Sequence, residues 1–409
     1  MRLRIDNEYD KLEAVMVHRP GLEIERLTHD NMRQFLFEDI PYLRRMQDEH
    51  DAFVAIMRDH GVEVLYLERL LLDVVADEPV RQRLLLEACG TAGVPAIADD
   101  LCGLRHWGIE ELVDLLFAGL TAGEYHERTG RRIAPPSGGD SFLIPPIPNA
   151  YFCRDPAVVV HDAAISSKMH HRERIRETQL TRSVLENHPE FCENTITYGG
   201  TDEPTEDRPY TIEGGDVIIL SPDAVLIGAS ERTRSETIEL LAGKCFRFGH
   251  VKRVYEIAIP TERAFMHLDT VFTVLDRGTI LRFSPVMENV PHIHRYEPAD
   301  ADGAGAARVP EERGFLDVLR DEFDTDLTII DTAGGSQPFE SREQRADGTN
   351  ALAIAPRVVI TYERNERTKA ALEAKGINCL GVAGSELVRG LGGPRCMTMP
   401  LRRGPGDTK

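Results

Sequence analysis

The chain has 409 residues, a formal net charge of −20 and 42% hydrophobic residues. A chain of this length can bury a large core, and its strong negative charge disfavours binding to the phosphate backbone of nucleic acids. No run approaches the roughly 18 apolar residues of a membrane-spanning helix, and the first residues lack the apolar segment of a signal peptide. We therefore expect a cytoplasmic protein without nucleic-acid or membrane partners.

Cysteine usage favours the same compartment. The seven cysteines are an odd number, without CxxC pairs and without the spacing of zinc ligands. Disulfide frameworks and structural zinc sites both depend on such patterns. We therefore expect free thiols in a reducing compartment and no bound metal.

Strand-like and helix-like segments alternate along the chain, and the alternation recurs five times. In chain order, the predicted strands cover residues 14–17, 62–67, 157–160, 217–220, 224–227, 267–275, 279–283, 327–330, 358–362 and 377–380. The predicted helices include residues 42–57, 172–186, a segment opening near 233, 315–319 and 366–375. Five similar units favour rotational repetition about a central axis, and a plain doubly wound sheet is the alternative.

Between residues 68 and 139 the pattern changes to apolar helices without intervening strands. A linker-like stretch, Pro135-Pro-Ser-Gly-Gly139, closes this segment. We predict a helical domain over residues 68–139, inserted into a catalytic α/β domain that covers residues 1–67 and 140–409.

Cys396 follows a glycine-rich segment, Arg389-Gly-Leu-Gly-Gly-Pro-Arg395. Glycines let the backbone bend tightly and approach a ligand, and a neighbouring cation such as Arg395 would favour the thiolate. This pattern indicates a nucleophile presented on a loop. The alternative is a small buried hydrophobic residue, which is what most free cysteines are.

Candidate acid–base residues lie at the starts of predicted strands. Within a strand, His267 and Asp269 would share one face, with an exposed surface pair as the alternative. Glu213-Gly-Gly-Asp216 and Asn149-Ala-Tyr-Phe-Cys-Arg-Asp155 also precede apolar strands, where an ordinary turn and charges at a strand end are the alternatives.

The candidates come from different units, and equivalent strand ends converge on the axis of a rotationally repeated fold. Carboxylates gathered there would be costly without a cation. A guanidinium is a planar cation that binds carboxylates through paired N–H groups, and a thiolate can attack its central carbon. The sequence therefore predicts a small-molecule guanidine substrate.

These residues resemble the arginine deiminase family of guanidine-modifying enzymes, and the resemblance runs through nearly the whole chain. The matching stretches are Val17-His-Arg-Pro-Gly21, Phe35-Leu-Phe-Glu-Asp-Ile-Pro41, Ile147-Pro-Asn-Ala-Tyr-Phe-Cys-Arg-Asp155, Glu213-Gly-Gly-Asp216, Met266-His-Leu-Asp-Thr-Val-Phe272, Arg342-Glu-Gln344 and Cys396-Met-Thr-Met-Pro400. The resemblance implies a five-bladed β/α propeller, the pentein fold, with an inserted α-helical domain.

The resemblance also implies the catalytic roles. Cys396 would attack the guanidinium carbon, Asp155 and Asp269 would hold the guanidinium nitrogens, and His267 would be the general acid–base with Glu213 as its partner. L-arginine would be converted to L-citrulline and ammonia through a covalent thiouronium adduct. This chemistry needs no metal and no cofactor.

Further residues would bind the amino-acid end of the substrate. Arg174 and Arg232 resemble the family's α-carboxylate ligands, assisted by Asn149, and the matched motifs add Asp216 and Leu36. Without the resemblance, the two arginines would be interpreted as charges on solvated helix faces.

The chain departs from the family pattern at three places. Leu391 occupies a position where many arginine deiminases have an arginine, so another guanidine is an alternative substrate. Cys153 replaces a usual threonine, and Pro145-Pro146 is atypical. The alternatives are an amidinotransferase, a deiminase of a modified arginine, or a non-catalytic guanidine-binding protein. The resemblance implies a homo-oligomer, either a dimer or a tetramer.

Overall fold

The computed structural model describes residues 1–136, 141–199, 210–247, 249, 251–288, 290, 293–299, 305–311 and 313–404. Its strands are β1 Lys11–Val17, β2 Glu63–Tyr66, β3 Leu120–Thr121, β4 Phe142–Ile144, β5 Ala157–Val160, β6 Ala163–Ser166, β7 Thr195–Tyr198, β8 Val217–Ser221, β9 Ala224–Ala229, β10 Arg253–Ala258, β11 Phe272–Asp276, β12 Thr279–Arg282, β13 Ile293–Pro298, β14 Ala306–Glu311, β15 Thr328–Asp331, β16 Leu352–Ala355, β17 Val358–Tyr362, β18 Asn378–Val382 and β19 Met399–Gly404.

The α-helices lie mainly between the strands of the repeated units and in one helical segment. They are α1 Leu22–Glu25, α2 Leu43–Asp59, α3 Leu67–Val75, α4 Glu78–Thr91, α5 Ala98–Cys102, α6 Ile109–Ala118, α7 Ala122–Thr129, α8 Ile175–Asn187, α9 Ser235–Arg247, α10 Ser284–Met287, α11 Phe315–Phe323, α12 Phe339–Gln344 and α13 Glu366–Ala374.

Five sheets repeat one strand order. In each, two antiparallel strands are followed by a helix and by a third strand that pairs in parallel with the second. The sheets are β19-β1-β2, β5-β6-β7, β8-β9-β10, β11-β12-β15 and β16-β17-β18. The hairpin β13–β14 extends the third sheet through β10. The fivefold alternation predicted from the sequence is therefore present.

The last strand of the chain pairs with the first. β19 pairs antiparallel with β1, with Lys11 opposite Gly404 and Met16 opposite Met399. The sequence analysis missed β19 because its residues include Pro400 and two arginines, a composition atypical of a buried strand. The sequence analysis also missed β16, a four-residue strand that begins the hairpin of its unit as β5 does.

Turn chemistry explains several boundaries. Gly278, between β11 and β12, and Gly376, just after α13, have φ values of 72° and 76°, a region that other residues enter only with strain. The hairpin between β8 and β9 lies where Ser221-Pro-Asp223 predicts a turn.

One local prediction was wrong. Residues 267–270 were expected to begin a strand, but Leu268–Thr270 form a 3₁₀ turn and β11 begins only at Phe272. His267 and Asp269 are therefore separated by a turn rather than by the alternation of a strand. The turn closes because the Thr270 hydroxyl and N–H both donate to the His267 carbonyl.

Helices α3 to α7 occupy most of the segment predicted to be helical. The expectation of no intervening strand was wrong, because the two-residue β3 pairs with β4. Leu71, Leu84 and Leu116 of this segment share one hydrophobic core with Val158 and Val217 of the sheets. The end of the predicted linker, residues 137–139, lies outside the described residues.

No helix in the described ranges combines the length and the hydrophobicity needed to cross a bilayer. All seven cysteines have free thiols, as the odd count predicts.

Candidate active site

The short segments before the first strand of several units meet at one place. Asp155 precedes β5, Glu213 precedes β8, His267 and Asp269 precede β11, and Cys396 precedes β19. All five side chains are at least 96% buried. The structure thus brings the candidate catalytic residues together from four different units.

His267 lies between two carboxylates. Its Nε2 is 2.8 Å from Glu213 Oε2, and its Nδ1 is 3.6 Å from Asp155 Oδ1. Burial alone would lower the pKa of His267, but Asp155 and Glu213 raise it to about 9. Gly215 permits this arrangement, because a Cβ at that position would lie 2.6 Å from His267 Nδ1. The imidazole is therefore cationic near neutral pH.

Glu213 is held as an anion by groups on three sides. Its Oε2 accepts from Arg232 Nη1 at 3.3 Å, and its Oε1 accepts from the His170 backbone N–H at 2.9 Å. Although burial raises the pKa of a carboxyl group, Arg232, His267 and Arg174 hold the pKa of Glu213 below its usual range. An anionic Glu213 can stabilise the His267 imidazolium.

Backbone contacts hold Cys396 next to the carboxylates. Its N–H donates to Asn350 Oδ1 and its carbonyl accepts from the Arg154 N–H, both at 3.0 Å. Its Sγ lies 3.7 Å from Asp269 Oδ2. Burial, with Asp269 and Asp155, raises the pKa of the Cys396 thiol well above its usual range. The free protein therefore holds a neutral thiol.

Arg395 interacts favourably with the Cys396 thiolate, but burial and the nearby carboxylates outweigh it and raise the pKa of the thiol. Arg395 also pairs with carboxylates, with Nη1 2.6 Å from Asp269 Oδ2 and Nη2 3.2 Å from Glu8 Oε1. Its charge is thus largely balanced by these carboxylates. The sequence could not reveal this pairing, because Glu8 is 387 residues away along the chain.

Asp155 and Asp269 each use one carboxylate oxygen to bind an arginine of the protein. Asp155 Oδ2 accepts from Arg174 at 2.8 Å, while its Oδ1 is buried and has no hydrogen-bond partner among the described residues. Asp269 Oδ1 has only the Cys396 thiol, at 4.0 Å, as a potential donor among those residues. Each carboxylate is therefore oriented by an internal arginine and keeps one oxygen for another donor.

A cavity of about 20 Å³ lies between these groups. It has room for about a single water molecule. Its walls include Asp155, His267 and Cys396 and four of the predicted substrate-binding residues, Leu36, Asn149, Arg174 and Arg232. A guanidine substrate can enter only if this wall opens.

The predicted substrate-binding residues differ in their contacts. Arg174 is bound by Asp155 and Glu177, while Arg232 Nε is buried without a hydrogen-bond partner among the described residues. Asn149 Nδ2 donates to the Phe35 carbonyl at 2.8 Å, which holds the segment before Leu36. Arg232 thus keeps unused hydrogen-bonding capacity at the cavity.

Asp216 lies behind the site rather than in its wall. Its carboxylate accepts from Ser230, Thr233 and the Leu268 N–H at 2.6–2.8 Å. Burial raises the pKa of Asp216 to about 7. Its contacts hold the turn that follows His267, which is a positioning role and not the substrate contact predicted.

Sequence reasoning missed several residues of the site. Asn350 holds Cys396 and also donates to the Asp269 carbonyl at 3.2 Å. A signal existed, because Asn350 precedes β16 as the other site residues precede their strands. Arg263, Met266 and Thr270 also line the cavity, and adjoining space of about 120 Å³ reaches Asp347.

Leu391 lines the same cavity with its backbone in the left-handed region, at a φ of 66°. Nearby Asp347 is buried and its Oδ2 has no hydrogen-bond partner among the described residues. Burial and the charge of Asp269 raise the pKa of Asp347 to about 8. Leu391 and the buried carboxyl group of Asp347 thus both border the space that adjoins the cavity.

Asp155, Glu213 and His267 are close enough together to hold a metal ion by distance alone. Arg174 and Arg232 lie against the same carboxylates. These two cations already neutralise the ligands that a metal would need.

Solved structures with the same fold include an amidinotransferase and a dimethylarginine dimethylaminohydrolase. An amidinotransferase of saxitoxin biosynthesis from Microseira wollei matches with a TM-score of 0.57 and 17% identity, covering 98% of this chain and 97% of that one. The DDAH enzyme from Pseudomonas aeruginosa, solved with citrulline, matches with a TM-score of 0.51 and 15% identity, covering 95% and 99%. These similarities show that the chain is a pentein-fold protein.

Sequence comparison defines the family more narrowly. The profile of the arginine deiminase family matches residues 33–403. The arginine deiminase of Staphylococcus haemolyticus is 35% identical over 98% of both chains, and that of Listeria monocytogenes is 36% identical over 98% of both. The chain belongs to the arginine deiminase family, as its motifs predict.

Proposed function

We propose that this protein hydrolyses L-arginine to L-citrulline and ammonia, with Cys396 as the nucleophile. The observation that carries the proposal is the cavity shared by Cys396, His267 and Asp155, which Asp269 adjoins through the thiol. It combines a thiol, an imidazolium and two carboxylates, which are the groups that attack on a guanidinium requires. Membership of the arginine deiminase family supports the choice of arginine.

Substrate binding would come first. The guanidinium donates to the free oxygens of Asp155 and Asp269, and its positive charge offsets the carboxylates that keep the thiol neutral. The pKa of Cys396 therefore falls when the substrate binds, and the thiol loses its proton to solvent. The nucleophile is thus formed only in the presence of its target.

Chemistry then proceeds in two stages. The Cys396 thiolate adds to the guanidinium carbon, and the His267 imidazolium donates a proton to the departing nitrogen, so that the C–N bond breaks and ammonia leaves. Neutral His267 then takes a proton from water, whose oxygen attacks the thiouronium carbon. The remaining hydroxyl proton of the adduct passes to solvent as the C–S bond breaks, and citrulline and the thiolate are released. Glu213 stabilises each imidazolium state.

The α-carboxylate of arginine would bind Arg232, whose Nε has no hydrogen-bond partner among the described residues, together with Arg174. Asn149 and Leu36 form the wall that surrounds this end of the substrate. Movement of Arg263 and of the Leu391 segment would open the cavity, because both residues separate it from the adjoining space.

For the architecture, we propose a five-bladed β/α propeller with the helical segment 68–139 as an inserted domain. The five identical strand orders and the pairing of β19 with β1 support closure of the ring. We also propose a cytoplasmic homo-oligomer, supported by the free cysteines for the compartment and by family membership for the assembly.

Replacement of the nucleophile tests the function. Cys396→Ala should lower citrulline formation by more than about 10⁴-fold, because no other group can form the adduct. Its circular dichroism and melting temperature should stay near those of the parent protein. Cys153→Ala, which removes another buried thiol, is the matched control and should keep most of the activity. Substantial turnover by Cys396→Ala would contradict the mechanism.

A second candidate, a deiminase of another guanidine, is favoured by Leu391 and the adjoining Asp347. Turnover of arginine, agmatine and N-methylated arginines should be compared, with ammonia measured in the presence and absence of glycine as an amidino acceptor. Leu391→Arg should lower the KM for arginine about tenfold by adding a cation near the carboxylate, and Leu391→Met is the control. If Leu391→Arg leaves the KM unchanged, Leu391 does not determine specificity.

A further inference from the structure

A second group of ligand-type side chains lies beside the active site. His170, His171 and Glu231 bring their ligand atoms within 4.8 Å of one another. His171 Nε2 is 3.8 Å from Glu231 Oε1, and the two imidazole rings are perpendicular with centroids 4.9 Å apart. This histidine–histidine–glutamate cluster is separate from the cavity and contributes no residue to it.

Two ligand atoms of the cluster are unsatisfied. His171 Nε2 and Glu231 Oε2 are shielded from solvent, yet neither has a hydrogen-bond partner among the described residues. A buried polar atom without a partner is unfavourable, and a bound ion would supply the missing partner. The side chains of His171 and Glu231 are nevertheless 26% and 23% exposed, so the cluster lies at the protein surface.

We propose that His170, His171 and Glu231 form a site for one divalent transition-metal ion, and that zinc fits their donor set best. Two imidazole nitrogens and one carboxylate oxygen suit zinc, while magnesium and calcium prefer oxygen ligands. Three protein ligands and a water complete a tetrahedron. Zinc–ligand distances of about 2.1 Å require donors about 3.4 Å apart, so the side chains need only a modest closure.

The site would join the two segments that hold the active-site glutamate. The His170 N–H donates to Glu213 Oε1, and Arg232, the neighbour of Glu231, donates to Glu213 Oε2. His171 also directly precedes the 3₁₀ turn that carries Arg174. A bound metal would therefore restrain both segments at once and stabilise the folded protein by mass action.

The cluster differs from the other group with metal-binding distances. Asp155, Glu213 and His267 are fully buried, and His267 Nε2 is already paired with Glu213. In the histidine–histidine–glutamate cluster, Glu231 Oε1 also lies 3.8 Å from Arg232 Nε. His171 Nε2 and Glu231 Oε2 nevertheless have no hydrogen-bond partner among the described residues, and their side chains are partly exposed. Zinc should thus prefer the cluster to the catalytic centre.

The test measures zinc binding to the full-length chain without an affinity tag. Titration calorimetry should give one equivalent of zinc for the parent protein, and zinc should raise its melting temperature. X-ray absorption should show nitrogen and oxygen ligands without sulfur. His171→Ala should weaken binding about 100-fold and Glu231→Gln about tenfold, each with loss of the thermal shift.

Control variants distinguish zinc binding at this cluster from zinc binding to other histidine or cysteine side chains. His29→Ala removes an imidazole that is 85% exposed beside Asp30, and it should leave zinc affinity unchanged. Cys396→Ala should also bind zinc normally. Binding that is lost in Cys396→Ala but retained in His171→Ala, a zinc–sulfur signal, or no binding at 1 mM zinc would each overturn the proposal. Because Glu231→Gln preserves side-chain volume, a folding defect in His171→Ala would not prevent the test.

Discussion

His267 contacts two carboxylates that serve it differently. Glu213 pairs with Nε2 at 2.8 Å and stays anionic, while Asp155 approaches Nδ1 at 3.6 Å with an oxygen that is free to bind substrate. The pair keeps His267 protonated near neutral pH, with a pKa of about 9. The group that we propose as the proton donor to the departing nitrogen is therefore charged before the reaction starts.

The pH dependence follows from this pKa. The imidazolium form is lost as pH rises through about 9, so kcat/KM should fall there. The contribution of His267 to the free energy of unfolding should change with pH in the same direction, because the pKa of His267 is raised in the folded state. This stabilisation is fully present below pH 6.5 and is lost as pH rises through about 9. Glu213→Gln removes the paired anion and should move the alkaline limb about 1 to 3 pH units lower. An unmoved limb would show that another group controls it.

At the scale of elements, the site depends on the short segments that lead into strands. Asn350 precedes β16 and holds two such segments, through the Cys396 N–H and the Asp269 carbonyl. One amide thus sets the distance between the sulfur and its neighbouring carboxylate. Because these segments are turns and not strands, local hydrogen bonds decide where each side chain points.

Asn350→Ala should lower the free energy of unfolding by about 1–3 kcal/mol, because it leaves buried backbone groups unpaired. It should also lower kcat about 10- to 100-fold, because a small displacement of the nucleophile is costly. Urea denaturation and steady-state kinetics measure the two effects. Asn378→Ala, at an exposed position of β18, should change neither. A fully active Asn350→Ala protein would contradict the positioning role.

At the scale of the molecule, a buried ionic cluster ties distant parts of the chain together. Glu8, near the first strand, lies 3.2 Å from Arg395 and 4.0 Å from Arg154 and accepts from the Ile219 N–H at 3.3 Å. Burial alone would raise the pKa of Glu8, but Arg395 and Arg154 lower it. The cluster joins the beginning, middle and end of the chain beside the nucleophile.

Glu8→Gln should destabilise the fold by about 3–5 kcal/mol, because it leaves buried arginines without their anion. The matched control is Glu13→Gln, since Glu13 and Arg402 form an exposed pair 2.6 Å apart and should contribute less than about 1 kcal/mol. Since the folded-state pKa of Glu8 is lowered, its contribution should be present above pH 4.5 and lost as pH falls. Equal effects of the two substitutions in urea denaturation would refute the central role of Glu8.

The sequence by itself determined the repeated strand–helix units, the family and the five candidate catalytic residues that meet at the site. Hydrophobic periodicity and the motif order carry that information locally, as Glu213-Gly-Gly-Asp216 before β8 illustrates. Only the tertiary structure decided how those residues are paired. Arg395 binds Glu8 and Asp269 rather than the thiol, and Asp216 supports the His267 segment rather than the cavity. Such pairings join residues that are far apart in the chain, so local sequence patterns cannot reveal them. Because the paired groups are buried, each pairing strongly affects the protonation state of its members.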